Sequence, residues 1–191
     1  MACRTGSPER AALRGGHRSQ KKCLTDYPYK DYFILVMGKL RDEIKQTKPF
    51  GSLEDEAFLN VIRTAERFLW REAEFLKPYE ITLSQYNVLR ILRGAEPEGL
   101  ICREISERMI ARDPDVTKLL DRLEARGLVK RERQENDRRV IIVRVTPEGV
   151  KLVDEIDRPA LKMTEELLGH LGERKLKTLI GLLEEAREGL T

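Results

Sequence analysis

Residues Leu100–Gly149 read LICREISERMIARDPDVTKLLDRLEARGLVKRERQENDRRVIIVRVTPEG, and the fold turns on them. Ile101, Ile105 and Met109 share one face of a short helix, and Ile110–Asp113 forms a turn. Asp113 can cap a second helix, with Pro114 at its first position, where a missing N–H costs nothing. Val116, Leu119, Leu120 and Leu123 then point inward and leave Asp115, Thr117, Lys118, Asp121 and Arg122 outside. Gly127 stops this helix, and Leu128 stands where the capping contact is expected. Leu128–Gln134 and Val140–Thr146 read as two strands around a tip, Glu135-Asn136-Asp137-Arg138, with Arg139 at the base of the returning strand.

Helix, turn, helix, hairpin is the layout of a winged helix-turn-helix, a module that lays one helix in the major groove of DNA. The implied fold class is mainly α (α+β), with a two-stranded wing hairpin framed by N- and C-terminal dimerisation helices.

Working outward, Thr82 and Gln85 predict a capping box, with Ile81 and Tyr86 as the hydrophobic staple around it. Leu83, Tyr86, Leu89 and Leu92 give that helix a buried face, Gly94 closes it, and Glu96–Gly99 is a turn. Further upstream, Ser52 and Asp55 start a helix striped by Phe58, Val61, Ile62, Ala65, Leu69 and Phe75, which Pro78 ends. Phe33, Val36, Met37, Leu40 and Ile44 predict an earlier helix over about 31–46. Residues 1–25 carry six basic side chains against Glu9 alone, and so few apolar ones that they read as a disordered tail or a basic arm on phosphates.

Downstream, Thr146-Pro147 is again a cap followed by proline. Val153, Ile156, Ala160, Met163, Leu167 and Leu171 alternate three- and four-residue steps, a seam that faces another helix, with Pro159 expected to kink or interrupt it. Gly169 and Gly172 bracket a turn before a last helix lined by Leu176, Leu179, Leu183, Ala186 and Leu190. The divisions are therefore 1–25 tail, 26–51 accessory helix, 52–146 DNA-binding region with its leading helix, and 147–191 dimerisation helices. The surplus apolar helix surface implies a homodimer, whose two-fold symmetry suits a palindromic site.

Composition limits the other readings. A net charge of +3 is too mild to announce nucleic acid by itself, so the case rests on local chemistry. Three scattered cysteines, Cys3, Cys23 and Cys102, argue for a reducing compartment. The apolar run Tyr32–Met37 is too short for a membrane span or a signal core, which places the protein in the cytoplasm with no membrane partner. No glycine-rich phosphate loop, His-centred triad or metal cluster supports an enzyme, and His17 and His170 stand without a second ligand beside them. No cofactor and no metal are expected. A winged helix used only for protein contact would have no reason to keep Arg139 and a basic outer face.

Asp113–Gly127 running into Leu128-Val129, then Asp137-Arg138-Arg139 and Val145-Thr146-Pro147-Glu148-Gly149, resembles the MarR family of bacterial transcriptional regulators. The match covers about Leu53 to the C-terminus. The family's wing carries Asp-x-Arg and later Leu-Thr-x-x-Gly, and this chain has Val145 for the leucine. The resemblance implies that Asp113–Arg126 is the recognition helix, with Pro114, Asp115, Thr117, Lys118 and Arg122 at the DNA. It also implies that Arg139, held by Asp137, enters the minor groove, with Arg138 on a phosphate. A guanidinium suits the negative potential of a narrow minor groove. Asp115 could also accept a hydrogen bond from a cytosine amine. Arg63, Arg67 and Trp70 lie on the helix that, in the family, helps line a cleft for small aromatic effectors. Ordinary core packing is the favoured reading of Trp70. Cys23 near Tyr27 and Tyr29 resembles the oxidant-sensing cysteine of some members, while Cys102 reads as a small core or cap residue. The function implied is a repressor on a palindromic operator, released by an effector.

Overall fold

The computed structural model describes residues 39–111, 115–134, 137 and 139–190. Residues 1–38, and with them the tail, Cys23 and the start of the accessory helix, lie outside the described residues, as do Arg112–Pro114, Glu135, Asn136 and Arg138. The chain parts into two compact units between Val61 and Ile62.

In the first unit, helix α1 spans Lys39–Glu43. It ends short of the expected residue 46, because Lys45 turns into the left-handed region at φ 54°. Helix α2 spans Leu53–Leu76 and starts on Ser52, whose Oγ accepts the Asp55 N–H at 3.2 Å. Pro78 ends it as expected, within a 3₁₀ turn over Lys77–Tyr79.

The rest of the second unit is built on α3, Leu83–Arg93. The capping box is present: Gln85 N–H donates to Thr82 Oγ1 at 3.2 Å, and Thr82 N–H donates to Gln85 Oε1 at 2.9 Å. Ile81 and Tyr86 are both buried in the core, as a staple requires. Strand β1 is Leu100–Ile101, α4 is Cys102–Arg108, α5 is Val116–Ala125, β2 is Val129–Arg133 and β3 is Ile141–Val145. The antiparallel sheet runs β1-β3-β2. The wing is thus not two-stranded alone: Leu100 pairs with Val143 and adds a third strand. Two residues are too few to show an alternating pattern, which is why the sequence hides β1.

Helix α6 spans Pro147–Leu168, and α7 spans Gly172–Glu188 after a 3₁₀ turn. The expectation of an interruption at Pro159 is corrected: α6 continues through it. Pro159 is exposed, so its ring meets solvent and not the core. Val88, Leu89, Leu92, Ile105, Leu120, Leu123, Val143, Val153 and Ile156 form one buried cluster beneath α3–α6 and the sheet. Each such side chain contributes about 1.5–3 kcal/mol by leaving water. Among the described residues, no helix is long and apolar enough to cross a membrane.

Candidate nucleic-acid interface

Helix α5 is held by burial on one side. Val116, Leu119, Leu120 and Leu123 face the core, while Thr117, Lys118, Asp121 and Arg122 are exposed. The split predicted from the spacing is the one observed.

The start of α5 is a correction. The helix begins at Val116, and its N-cap is Asp115, not Asp113. Asp115 Oδ1 accepts the Lys118 N–H at 3.0 Å, and Oδ2 lies 2.7 Å from Lys118 Nζ. The bonds from the Lys118 side chain and backbone hold the Asp115 carboxyl below its ordinary range, and the Lys118 ammonium is raised in turn. Both carboxylate oxygens are thereby engaged within the helix's first turn. The sequence spacing puts the cap at Asp113, and the register of the helix puts it two residues later. Asp113 and Pro114 lie outside the described residues.

The other end of α5 is closed by a Schellman motif. Gly127, at φ 70°, donates its N–H to Glu124 O at 2.8 Å, and Leu128 N–H donates to Leu123 O at 3.0 Å. Arg126 reaches back from this end, donating Nη1 to Glu80 O at 2.5 Å and Nη2 to Tyr79 O at 3.4 Å. The preceding turn is pinned as well, by Ile110 N–H on Asn87 Oδ1 at 3.0 Å.

At the wing, Asp137 and Arg139 are both exposed. Asp137 Oδ1 accepts the backbone N–H of Arg139 at 2.9 Å, and Asp137 O accepts the N–H of Val140 at 3.0 Å. Asp137 thus meets Arg139 through the main chain, as aspartates do in tight turns. The Arg139 side chain makes no ion pair with another described residue. Arg138 lies outside the described residues.

Sequence reasoning passed over Arg131 and Arg144. Arg131, on β2, donates Nη1 to Asp121 Oδ1 at 2.5 Å and to Glu124 Oε2 at 3.1 Å, and Nη2 to Thr117 O at 3.2 Å. Arg144, on β3, donates Nη1 to Glu132 Oε2 at 2.7 Å and Nε to Pro97 O at 2.9 Å. Long-range arginine contacts leave no periodic trace, and strand alternation was the one signal available for Arg131.

The base of the wing joins α6 tightly. Thr146 Oγ1 accepts the Gly149 N–H at 3.1 Å and donates to Gly127 O at 2.6 Å, and Thr146 N–H donates to Leu128 O at 3.1 Å. A Cβ on Gly149 would stand 2.2 Å from Leu128 O, so only glycine fits. This gives the Thr-x-x-Gly spacing its physical reason.

The proposed effector residues lie on α2. Ile62, Ala65, Glu66, Leu69 and Trp70 line an open groove along the helix. Trp70 is 60% exposed and lines this groove, outside the buried cluster, which corrects the core-packing reading. Arg63 lies 3.7 Å from Glu66, and Arg67 is exposed.

A protein-family profile described as transcriptional regulator SarA/Rot matches residues 73–156, from the end of α2 into α6. The HTH-type transcriptional regulator FarR of Neisseria gonorrhoeae is 30% identical over 127 residues, which are 66% of this chain and 86% of FarR. The crystal structure of a MarR transcription factor from Planctomyces limnophilus is 41% identical with a TM-score of 0.56, covering 71% of this chain and 98% of that one. The chain belongs to the MarR family. It is a winged helix-turn-helix, DNA-binding transcriptional regulator, as its relatives are. A further MarR-like structure, PcaV from Streptomyces coelicolor in complex with its natural ligand, is 26% identical with a TM-score of 0.57, covering 67% of this chain and 92% of PcaV. Within this MarR-family chain, the exposed face of α5 and the wing tip stand on the same three-element scaffold of α5, β2 and β3.

Proposed function

We propose that this MarR-family regulator is a homodimeric, cytoplasmic repressor of a palindromic operator, released by a small aromatic effector. Residues 52–146 form the DNA-binding region with its leading helix, and 147–191 the dimerisation helices. Thr117, Lys118 and Arg122 contact the major groove, with Pro114 and Asp115 at the entering end of the helix. Arg139 enters the minor groove on the turn that Asp137 closes, and Arg138 meets a phosphate. The observation that carries this reading is the division of α5 into a buried apolar face and an exposed Thr117–Lys118–Arg122 face, beside a wing that ends in an exposed Arg139.

Pairing of two chains is supported by Leu69, Leu161, Ile180 and Leu182, large apolar side chains about half exposed in the single chain. An effector at Arg63, Arg67 and Trp70 is supported by the groove that Trp70 lines with Ile62, Ala65 and Leu69, an apolar surface that would meet a flat ring. The ligand-bound PcaV relative favours the same reading.

Selection of bound genomic fragments at physiological salt, with excess competitor DNA and protein refolded free of small molecules, tests the proposal. A recovered palindrome with half-sites about one helical turn apart is the expected result. No enrichment from that protein would overturn it.

A further inference from the structure

Arg131 lies where the two DNA-reading parts meet. Strand alternation puts its side chain on the same face of β2 as buried Val129, over α5. There it bonds Thr117 O, Asp121 and Glu124, three positions spaced four and three residues apart along one side of the helix. Its own N–H also donates to Glu124 Oε1 at 3.1 Å, so backbone and side chain of one residue hold the same carboxylate. The Arg131 side chain is 24% exposed, and its guanidinium is taken up by these three acceptors.

We propose that Arg131 is a positioning residue for sequence readout: it locks the roll of α5 against β2 and so sets the distance between the major-groove and minor-groove contacts. A planar fork reaches in fixed directions to acceptors spread along the helix, whereas an ammonium is a compact point charge on a flexible stem. The pairing also offsets part of the negative charge of Asp121 and Glu124, carboxylates that would otherwise repel phosphates beside Lys118 and Arg122. Because β2 leads directly into the wing, freedom of α5 against β2 is freedom of Thr117 and Lys118 against Arg139. The inference rests on the proposed docking of α5 in the major groove.

The test compares the wild type with Arg131→Gln, Arg131→Lys and the double variant Asp121→Asn/Glu124→Gln. Each is assayed on the selected operator and on a scrambled fragment of the same length, across a salt series, at a temperature where circular dichroism shows it folded. For all three variants the ratio of operator to scrambled affinity is expected to drop by about tenfold, the equivalent of one or two lost charge-assisted bonds. The slope of log affinity against log salt should stay as in the wild type, since no phosphate contact is removed. A slope shallower by about 0.9 in Arg131→Gln would make Arg131 a phosphate contact and overturn the proposal. So would a double variant that binds both fragments more tightly at an unchanged ratio. A wild type without preference removes the docking of α5 itself, whereas a discriminating wild type whose variants keep its ratio removes only the positioning role.

Discussion

The Tyr86 hydroxyl donates to Asp157 Oδ1 at 2.5 Å and joins α3 to α6 across 71 positions of sequence. Asp157 Oδ2 also accepts from Arg93 Nη2, and Arg93 Nη1 donates to Asp154 Oδ1 at 2.6 Å. Arg90 Nε lies 3.5 Å from Asp157 Oδ1, and its guanidinium stands 5.7 Å from the Tyr86 ring centroid. Burial and the bond to Asp157 push the Tyr86 phenol well above its ordinary value, so it remains a donor at any working pH. Helix α3, packed beneath α5 and the sheet, is thereby tied to α6.

Tyr86→Phe keeps the ring and removes only this bond, and about 1 kcal/mol of stability should go with it. Denaturant unfolding followed by circular dichroism measures the loss, and an unchanged midpoint would mean the bond contributes nothing net.

The same cluster sets a pH dependence. Burial disfavours the charged form of Asp157, but the hydrogen bonds from Tyr86 and Arg93 outweigh it and hold the carboxyl below its ordinary value. A carboxyl depressed in the folded state gives stability that is present above its unfolded pKa of about 3.9 and is lost as pH falls through the folded value. Unfolding midpoints should therefore drop below about pH 4 in the wild type. In Asp157→Asn that drop should be smaller, while stability at neutral pH is already reduced.

Arg139→Ala should weaken operator binding and make its salt dependence shallower by about 0.9, because one cation leaves the DNA. Circular dichroism should be unchanged, since the turn is closed by Asp137 on the backbone and not by the lost side chain. Binding equal to the wild type would remove the wing from the interface.

Ile180 and Leu182 are 54% and 59% exposed. For an isolated chain, Ile180→Glu would be nearly neutral; in a dimer it would bury a charge. Sedimentation equilibrium should show Ile180→Glu as folded monomer. A dimer of undiminished stability would place the seam elsewhere.

Much of this arrangement was legible in residue spacing. The buried and exposed faces of α5, the Thr82–Gln85 box and the Thr146 cap follow from local rules, and local rules leave local traces. Three features could not be read that way. Strand β1 is too short to carry a period, and its partner Val143 lies over forty positions away. The spacing points to Asp113 as the cap of α5, and only the register of the helix moves the cap to Asp115. Arg131 and the Tyr86–Asp157 bond are long-range contacts between residues that look ordinary in isolation. Trp70 differs again: an aromatic residue suggests a core, but burial depends on what faces the helix, and here the side chain lines an open groove.

Gly149→Ala isolates the last contact. Its new methyl would meet Leu128 O at 2.2 Å and Val145 Cγ2 at 2.7 Å, and neither atom can yield without shifting a strand or a helix. A loss of about 3 kcal/mol or more is expected from such overpacking, read as the unfolding midpoint. An alanine variant of wild-type stability would show that the joint has slack.

That lack of slack governs how motion passes through the molecule. The end of α5, the root of the wing and the first turn of α6 meet at Thr146 and turn as one rigid corner. Helix α6 is a lever of about 33 Å at 1.5 Å per residue, and tilting it by about 5° sweeps one end through roughly 3 Å relative to the other. A push on the far end of that lever would swing α5 bodily with it, without first melting the helix. In this protein, geared rotation is the form that any coupling through α6 must take.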